Sequence, residues 1–274
     1  MQAKVASGKA AGKIHPTAIV EKGAKIGAGV VVGPYCVIGG KVEIGADTRL
    51  VSHVVLAGRL KLGKNNVVYP FASLGQPSPD RKYDGEDTLL QIGDGNDIRE
   101  GVTMHIGTAA GGGKTLVGHR NLLMAGSHVA HDCVVGDDCI LANYAQLAGH
   151  VTLGDKVVVG GLSGIHQRVR VGSHAIVGGH TAVDYDVPPF ASVAGRRATL
   201  KGLNLVGLRR RGFDKELIHA LDEAYDFLFA ADDEAPLQEK AQRLRKRVKQ
   251  PEVRLLAEFV MDSQRGVTGY DEEN

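Results

Sequence analysis

Five histidines are the side chains of this chain whose type and spacing could do chemistry. His131, His150 and His166 recur at intervals close to 18 residues, and His105 and His128 precede them. Histidine is the usual general base near neutral pH, because its pKa lies close to that pH. Asp132 directly follows His131 and could orient its ring and stabilise the protonated form. The pattern therefore predicts a general base at His131 that is assisted by Asp132.

Zinc binding is the alternative chemistry for such a cluster, since three histidines can hold this metal. The hexapeptide carbonic anhydrases do so with two ligands five residues apart, whereas His128 and His131 are three residues apart. We therefore expect no metal site, and general-base chemistry remains the stronger interpretation. The histidines outside the cluster, His53, His174 and His219, are expected to face solvent.

No nucleophile accompanies the predicted base. The sequence contains no Gly-x-Ser-x-Gly motif. The run GGGKT at 111–115 is similar to a phosphate-binding loop, but Thr108 stands where the first glycine of that motif belongs. Cys36, Cys133 and Cys139 occupy a periodic position filled elsewhere by alanine and valine, which predicts small buried side chains. A base without a nucleophile indicates direct transfer of a group to a substrate hydroxyl or amine.

A period of six residues must position these side chains. An aliphatic residue occurs at every sixth position over 14–74, over 92–104 and, after a slip of one residue, over 117–183. One hexad forms a short strand and a turn, and three hexads close a triangular coil around the aliphatic side chains. Residues 18 apart then lie on the same face in successive coils. This places the five histidines within about 10–15 Å of one another.

The chain is therefore predicted to be a β protein with an α-helical C-terminus. A parallel β-helix of hexapeptide repeats should cover 1–192, with loop insertions at 75–90 and 107–114. A helical domain should cover 193–274, because the period becomes helical after the paired prolines 188–189. We expect Asp214 to cap its first long helix, two further helices at 236–249 and 251–263, and a frayed tail at 266–274.

Composition limits the function classes. The net charge of +2 and an aromatic content of 5% argue against nucleic acid as a partner. The N-terminus has no apolar signal segment, and no run of about 18 apolar residues predicts membrane insertion, so we expect a cytoplasmic protein. Between Asp186 and Asp214 there is no acid but there are six cations, which favours an anionic partner such as a nucleotide diphosphate or an acidic carrier protein. The six are Arg196, Arg197, Lys201, Arg209, Arg210 and Arg211.

Several motifs resemble those of the UDP-N-acetylglucosamine acyltransferases, which carry out the first acyl transfer of lipid A synthesis. They are LLMAGSHVAHDC at 122–133, LAGHV at 147–151, YPFAS at 69–73, KYDGE at 82–86, IHQ at 165–167 and NLVGLRRRGF at 204–213. The resemblance covers essentially the whole chain. It implies a left-handed parallel β-helix and a homotrimer with active sites between subunits. Val206 departs from the family pattern, which often has an acidic residue near the nucleotide.

The resemblance also implies roles for individual residues. The reaction would move a 3-hydroxyacyl chain from acyl carrier protein, on its phosphopantetheine arm and without another cofactor, to the 3-position of UDP-N-acetylglucosamine. His131 would be the base, Asp132 would orient it, and the N–H of Gly149 would stabilise the oxyanion. The residues implied in substrate binding are Asp80, Lys82, His128, His150, His166, Gln167, Asn204, Arg210 and Arg211. Gly179, with neighbouring His180, would set the acyl-chain length and leave room for a longer chain.

Three other functions are compatible with the sequence. A related hexapeptide transferase could use acetyl-CoA or acylate a 3-amino sugar, so that an amide would form in place of an ester. A zinc-dependent hydratase and a non-catalytic scaffold that binds the carrier protein are the other two.

Overall fold

The predicted coil is present in the computed structural model, which describes residues 12–230 and 233–270. Strands of two to five residues alternate with turns, and within the repeat region the strands pair in parallel with those one coil away. Most partners are 18 residues apart, as in Lys13↔Val31 and Ile140↔Val158. The hexads therefore stack through main-chain hydrogen bonds along the whole repeat region.

Three sheets, named A, B and C here, form the walls of the prism in the described residues. Sheet A contains Lys13–Ile14, Val31–Val32, Arg49–Leu50, Val67–Val68, Asp97–Ile98, Leu122–Leu123, Ile140–Leu141, Val158–Val159, Ile176–Val177, Ala191–Ala194 and Thr199–Leu203. Sheet B contains Ile19–Val20, Val37–Ile38, Val55–Leu56, Ser73–Gln76, Thr103–His105, His128–Val129, Gln146–Leu147, Gly164–Ile165 and Ala182–Val183. Sheet C contains Lys25–Ile26, Val42–Ile44, Arg59–Leu62, Leu89–Ile92, Lys114–Val117, Val134–Val135, Thr152–Leu153 and Arg170–Val171.

The periodic aliphatic residues fill the interior of the prism. Leu50, Leu123 and Val159 are typical, and each has no exposed surface. The three cysteines are also fully buried, as predicted. Burial raises the pKa of the thiols of Cys133 and Cys139 to about 12, so these side chains act as small apolar groups.

Both interruptions leave the coil between a strand of sheet B and a strand of sheet C. The first interruption runs over 77–88. It is shorter than the predicted 75–90 because the strands on either side, Ser73–Gln76 and Leu89–Ile92, are longer than most. Leu62 pairs with Ile92, 30 residues away, so the additional length equals two hexads and preserves the phase. The second runs over 106–113 and contains a 3₁₀ turn at Ala109–Gly111. Ile92 pairs with Val117 across it, and the added length is one residue more than a hexad, which produces the slip.

Four helices follow the coil in the described part of the chain. They are α1, Leu205–Arg210; α2, Lys215–Phe229; α3, Leu237–Arg247; and α4, Pro251–Met261. Asp214 caps α2, as predicted, because its carboxylate accepts the N–H of Leu217 over 2.7 Å. None of the described helices has the length and apolar character needed to span a membrane.

Three features of the C-terminal region were not predicted. Helix α1 was missed, and so was the antiparallel pairing of Ala191–Ala194 with Thr199–Leu203, which spans the predicted domain boundary. The prediction of a frayed tail is wrong for 266–270, where Asp186 donates to Gly266 O and accepts from Thr268 N. The rest of that tail and the N-terminal segment 1–11 lie outside the described residues.

Candidate active site

The turns between strands form three corners of the prism, each named here by the two sheets it joins. Corner BC contains turns 131–132, 149–150 and 167–168; corner CA contains 137–138, 155–156 and 173–174; corner AB contains 143–144, 161–162 and 179–180. Both insertions leave the coil from corner BC. The predicted site residues are distributed over all three corners of one chain.

Corner BC holds the predicted base. Nδ1 of His131 donates to Oδ2 of Asp132 over 2.8 Å, and the Asp132 side chain is fully buried. Because a carboxylate oxygen accepts, this bond leaves Nε2 of His131 with a free lone pair, which is the tautomer that a general base needs. His131 is 7% exposed, so its free nitrogen is shielded from bulk water.

Gly149 lies one coil beyond His131, and its backbone faces the imidazole. A Cβ at this position would stand 2.6 Å from both Nε2 and Cε1 of His131, so only glycine lets the ring lie there. The N–H of Gly149 donates to no acceptor within the described residues. A free N–H next to a general base can stabilise an oxyanion that forms when the base takes a proton.

His150 extends this cluster. Its ring lies edge-on to His131 at 5.2 Å between centroids, and its Nε2 is 3.8 Å from Oδ2 of Asp132. Burial lowers the pKa of His150, the positive charge of Arg168 lowers it further, and Asp132 and Asp80 oppose both. Asp80 belongs to the first insertion, which leaves the coil from corner BC. Lys82 and Gln167 are exposed in the same region.

His105 and His128 form a second pair on the outer face of sheet B. Their ring centroids are 4.9 Å apart, and Nδ1 of His128 is hydrogen-bonded to Oγ1 of Thr103 over 2.7 Å. Burial lowers the pKa of His128 to about 4 and also lowers the pKa of His105. Near neutral pH both rings are therefore uncharged, which suits hydrogen bonds to sugar hydroxyls better than proton storage.

His166 directly follows the sheet B strand Gly164–Ile165. It lines, with His128, a groove of about 420 Å³ whose surface includes Leu147, Ile165 and Val183. Nη2 of Arg265 donates to Nδ1 of His166 over 2.8 Å, which leaves Nε2 of His166 as a donor. Sequence reasoning did not identify Arg265, because no periodic spacing connects the C-terminal tail with the coil.

Corner CA, by contrast, holds the residues predicted to meet the nucleotide or the carrier. Asn204 is buried and caps α1, since its Oδ1 accepts from Gly207 N and its Nδ2 donates to His174 O. Nη2 of Arg211 donates to the carbonyl of Lys156 over 2.9 Å. Arg210, the neighbouring cation, is exposed.

His174 does not face solvent at this corner, contrary to prediction. Its ring stacks on Phe190 at 5.6 Å and meets Phe213 edge-on at 5.1 Å. The expectation failed because the second aromatic ring comes from the helical region, whose packing the hexad spacing does not reveal.

Corner AB holds the residues predicted to set chain length. Gly179 and His180 form its turn beside sheet B, and a Cβ at Gly179 would meet Gly161 O at an ordinary 3.4 Å. The site residues of one chain are thus brought together at corner BC, whereas Asn204 and Arg211 lie at a different corner.

Zinc chemistry fits this geometry less well than general-base chemistry. Possible ligand atoms of His131, Asp132 and His150 lie within 4.8 Å of one another. This group contains two histidines and one carboxylate, not three histidines, and Oδ2 of Asp132 already accepts from His131 and from the hydroxyl of Thr108. The donor set therefore favours a proton acceptor.

Thr108 is a contact that sequence reasoning missed. It was considered only as a departure from a phosphate-binding loop, yet its N–H donates to Oδ1 of Asp132 over 2.8 Å and its hydroxyl donates to Oδ2 over 2.7 Å. The slip of the hexad register next to Thr108 was the available signal, because inserted residues in a solenoid tend to lie on one functional face.

Comparison with known proteins is consistent with this site. The family model described as UDP-N-acetylglucosamine O-acyltransferase, domain 2, matches residues 186–268, and the bacterial transferase hexapeptide model matches 23–58 and 114–149.

Similar solved structures cover nearly the whole chain. They include a UDP-N-acetylglucosamine acyltransferase from Campylobacter jejuni, with 37% identity, 94% of this chain and 100% of that chain covered, and a TM-score of 0.89. The O-acyltransferase from Moraxella catarrhalis has 42% identity, coverage of 93% and 99%, and a TM-score of 0.88. The Francisella novicida acyltransferase has 36% identity, coverage of 95% for both chains, and a TM-score of 0.91. The chain is a left-handed parallel β-helix with a helical C-terminus and belongs to the UDP-N-acetylglucosamine acyltransferase family.

Proposed function

We propose that this chain transfers a 3-hydroxyacyl chain from acyl carrier protein to the 3-position of UDP-N-acetylglucosamine, the first acylation of lipid A synthesis. The buried pair of Asp132 and His131, which faces the free N–H of Gly149, is the observation that carries this proposal. The similar structures and the matching family model are named after this sugar nucleotide and after acyl transfer.

In the proposed mechanism, Nε2 of His131 accepts the proton of the sugar 3-hydroxyl as its oxygen attacks the thioester carbonyl. The N–H of Gly149 stabilises the oxyanion of the tetrahedral intermediate. As the intermediate collapses, the C–S bond breaks and the thiolate of the phosphopantetheine arm takes the proton from His131. The thioester is already activated, so the reaction needs no further cofactor and no covalent enzyme intermediate.

The groove on sheet B suits the acyl chain. The groove has a volume of about 420 Å³ and is lined mainly by apolar atoms of the stacked strands, with His128 and His166 as polar side chains in its lining. Asp80, Lys82 and Gln167, which lie near corner BC, would contact the sugar nucleotide. Since sugar nucleotides and acyl carrier protein are made in the cytoplasm, we propose that the reaction takes place there.

The surface of the prism favours a homotrimer with corner AB at its threefold axis. Large apolar side chains at this corner, Tyr35, Phe71, Tyr144 and Leu162, are 57% to 66% exposed. Soluble monomers rarely expose such a column of apolar surface. The outer face of sheet C carries Lys25, Glu43, Lys61 and Gln91 in its first four strands, which suits solvent.

This arrangement would complete the active site from two chains. With corner AB at the axis, sheet B of one copy faces sheet A of the next. Corner BC of the first copy then lies beside corner CA of its neighbour. His131 of one chain would thus meet Asn204 and Arg211 of another, and Gly179 near the axis would close the end of the acyl groove.

An acidic carrier protein fits the charge of the helical region. The last turn of α3 carries Arg245, Lys246 and Arg247, and Arg210 is exposed on α1. Complementary charge of this kind speeds the encounter with an acidic partner more than it strengthens the complex.

The direct test is mass spectrometry of the product. The purified protein is incubated with UDP-N-acetylglucosamine or its 3-amino analogue and with either 3-hydroxyacyl carrier proteins of several chain lengths or acetyl-CoA. We expect an acylated sugar nucleotide with the carrier only. His131→Ala should lower turnover by about two to four decades, since general-base catalysis is worth that much, with little change in melting temperature.

Other products would support the rival functions. Turnover with acetyl-CoA alone would contradict the proposal and indicate a different hexapeptide transferase. A preference for the 3-amino analogue would replace ester with amide formation. Near-normal turnover of His131→Ala would rule out His131 as the base.

A further inference from the structure

The second insertion folds onto the buried carboxylate of Asp132. Thr108, which is 4% exposed, donates its N–H to Oδ1 and its hydroxyl to Oδ2, over 2.8 and 2.7 Å. Oδ2 is the same oxygen that accepts Nδ1 of His131. Thr108, in the preceding coil, therefore donates to both oxygens of the Asp132 carboxylate. Oδ2 still accepts from the imidazole of His131.

The insertion is built to bring Thr108 to this position. Thr108 caps the 3₁₀ turn, with its Oγ1 accepting from Gly111 N over 3.1 Å and its carbonyl accepting from Gly113 N over 2.8 Å. A Cβ at Gly111 would stand 2.0 Å from Cγ of Asp132, so the turn contacts the carboxylate directly. Thr88 secures the base of the insertion, because its hydroxyl donates to Gly107 O over 2.6 Å.

We propose that Thr108 is a positioning residue of the acyl transfer and acts through Asp132 on His131. The inference rests on the proposed function, in which His131 is the base. Without the hydroxyl, the carboxylate can turn about its Cβ–Cγ bond, and Oδ2 no longer holds Nδ1 of His131 in one direction. The imidazole then exchanges between its two tautomers, and only one of them presents a free Nε2 to the substrate.

The test compares Thr108→Val, Thr108→Ser and Thr88→Val. Thr108→Val keeps the shape and the backbone donor but removes the hydroxyl, and we expect kcat to fall about 10- to 100-fold with KM for the sugar nucleotide unchanged, as for a misaligned catalytic group. Thr108→Ser restores the donor and should recover most of kcat. Thr88→Val removes a buried hydroxyl that donates to Gly107 at the start of the insertion that contains Thr108, and we expect a lower melting temperature with kcat retained.

A second readout does not depend on turnover. Nitrogen-15 NMR of histidine-labelled protein, assigned with His131→Ala, should show His131 protonated at Nδ1 in the wild type and as a mixture of tautomers in Thr108→Val. An unchanged tautomer, or equal losses of kcat in Thr108→Val and Thr88→Val, would overturn the positioning role. If His131 were not the base, the NMR change would occur without a change in kcat, which separates failure of the proposed function from failure of this inference.

Discussion

His131 can serve as a base because its neighbours fix its tautomer and the position of its ring, neither of which is fixed for an imidazole on the surface. Asp132 engages Nδ1, and the missing side chain of Gly149 lets the ring lie against the backbone of the next coil. Asp132 itself adopts a φ of 61°, a left-handed conformation that aspartate tolerates better than most residues. The chemistry at this corner therefore depends on the types of three residues and on the turn that carries them.

His174 offers a pH-dependent test of the packing at corner CA. Burial between Phe190 and Phe213, together with the charges of Arg211 and Lys156 and against the opposing charge of Asp155, lowers its pKa to about 4. In the unfolded chain a histidine titrates near 6.5. The unfolded state therefore binds a proton between these values that the folded state does not, so stability present above pH 6.5 is lost as the pH falls towards 4.

We expect His174→Phe to reduce this loss of stability. The variant keeps an aromatic ring between the two phenylalanines but has no proton to bind, whereas His105, His128 and His150 retain their own lowered pKa values. Melting temperatures at pH 7.5 and pH 4.5 should differ less in the variant than in the wild type. If the melting temperature fell equally in both proteins between pH 7.5 and pH 4.5, the His174 ring would be hydrated and the prediction would be wrong.

At the scale of the element, the coil demands close approach of successive turns. Gly33, directly after the periodic Val32, is an example, because a Cβ there would stand 1.7 Å from the carbonyl oxygen of Val51 in the next coil. Parallel coils cannot separate locally to admit a methyl group without breaking their main-chain pairing. At Gly33 the absence of a side chain is thus a requirement of stacking.

We expect Gly33→Ala to destabilise the coil by about 1–3 kcal/mol, as overpacking does elsewhere, and to lower the melting temperature by several degrees. Gly164 is the control, because it lies in the coil strand Gly164–Ile165, where a Cβ would meet none of the described residues within 4 Å. Gly164→Ala should keep the wild-type melting temperature. Equal melting temperatures of the two variants would contradict the role of close approach.

At the scale of the whole molecule, one chain carries the two halves of the proposed site at different corners. His131 lies in a turn between sheets B and C, and Arg211 is bonded to Lys156 in a turn between sheets C and A. The body of the prism separates these corners. A site that uses both residues therefore needs a second chain.

Mixing two inactive variants tests this requirement. His131→Ala and Arg211→Ala should each be nearly inactive alone. A homotrimer that assembles at random from equal amounts of both should recover about a quarter of wild-type activity, since each mixed trimer of cyclic symmetry has one intact site. No recovery after co-assembly, confirmed by mass measurement of mixed trimers, would contradict a site shared between chains.

The six-residue period allowed much of the fold to be predicted from the sequence. Because every coil repeats the same backbone, the period assigns each residue a wall, a corner and an inward or outward direction. It therefore predicted the buried cysteines and the stacking of His131 and His150 at one corner. The C-terminal region has no such repeat, so α1 and the contact of Arg265 with His166 could not be read from spacing.

What the sequence by itself determined is the coil, its interior and the pairing of His131 with Asp132, because neighbours in sequence and in stacked hexads are fixed by backbone geometry. Only the tertiary structure decided that Thr108 holds Asp132, that the tail at 266–270 pairs with the coil end, and that Asn204 and Arg211 lie at a corner away from His131. These contacts join segments whose separation follows no period. Their positions depend on how loops and helices pack against the prism.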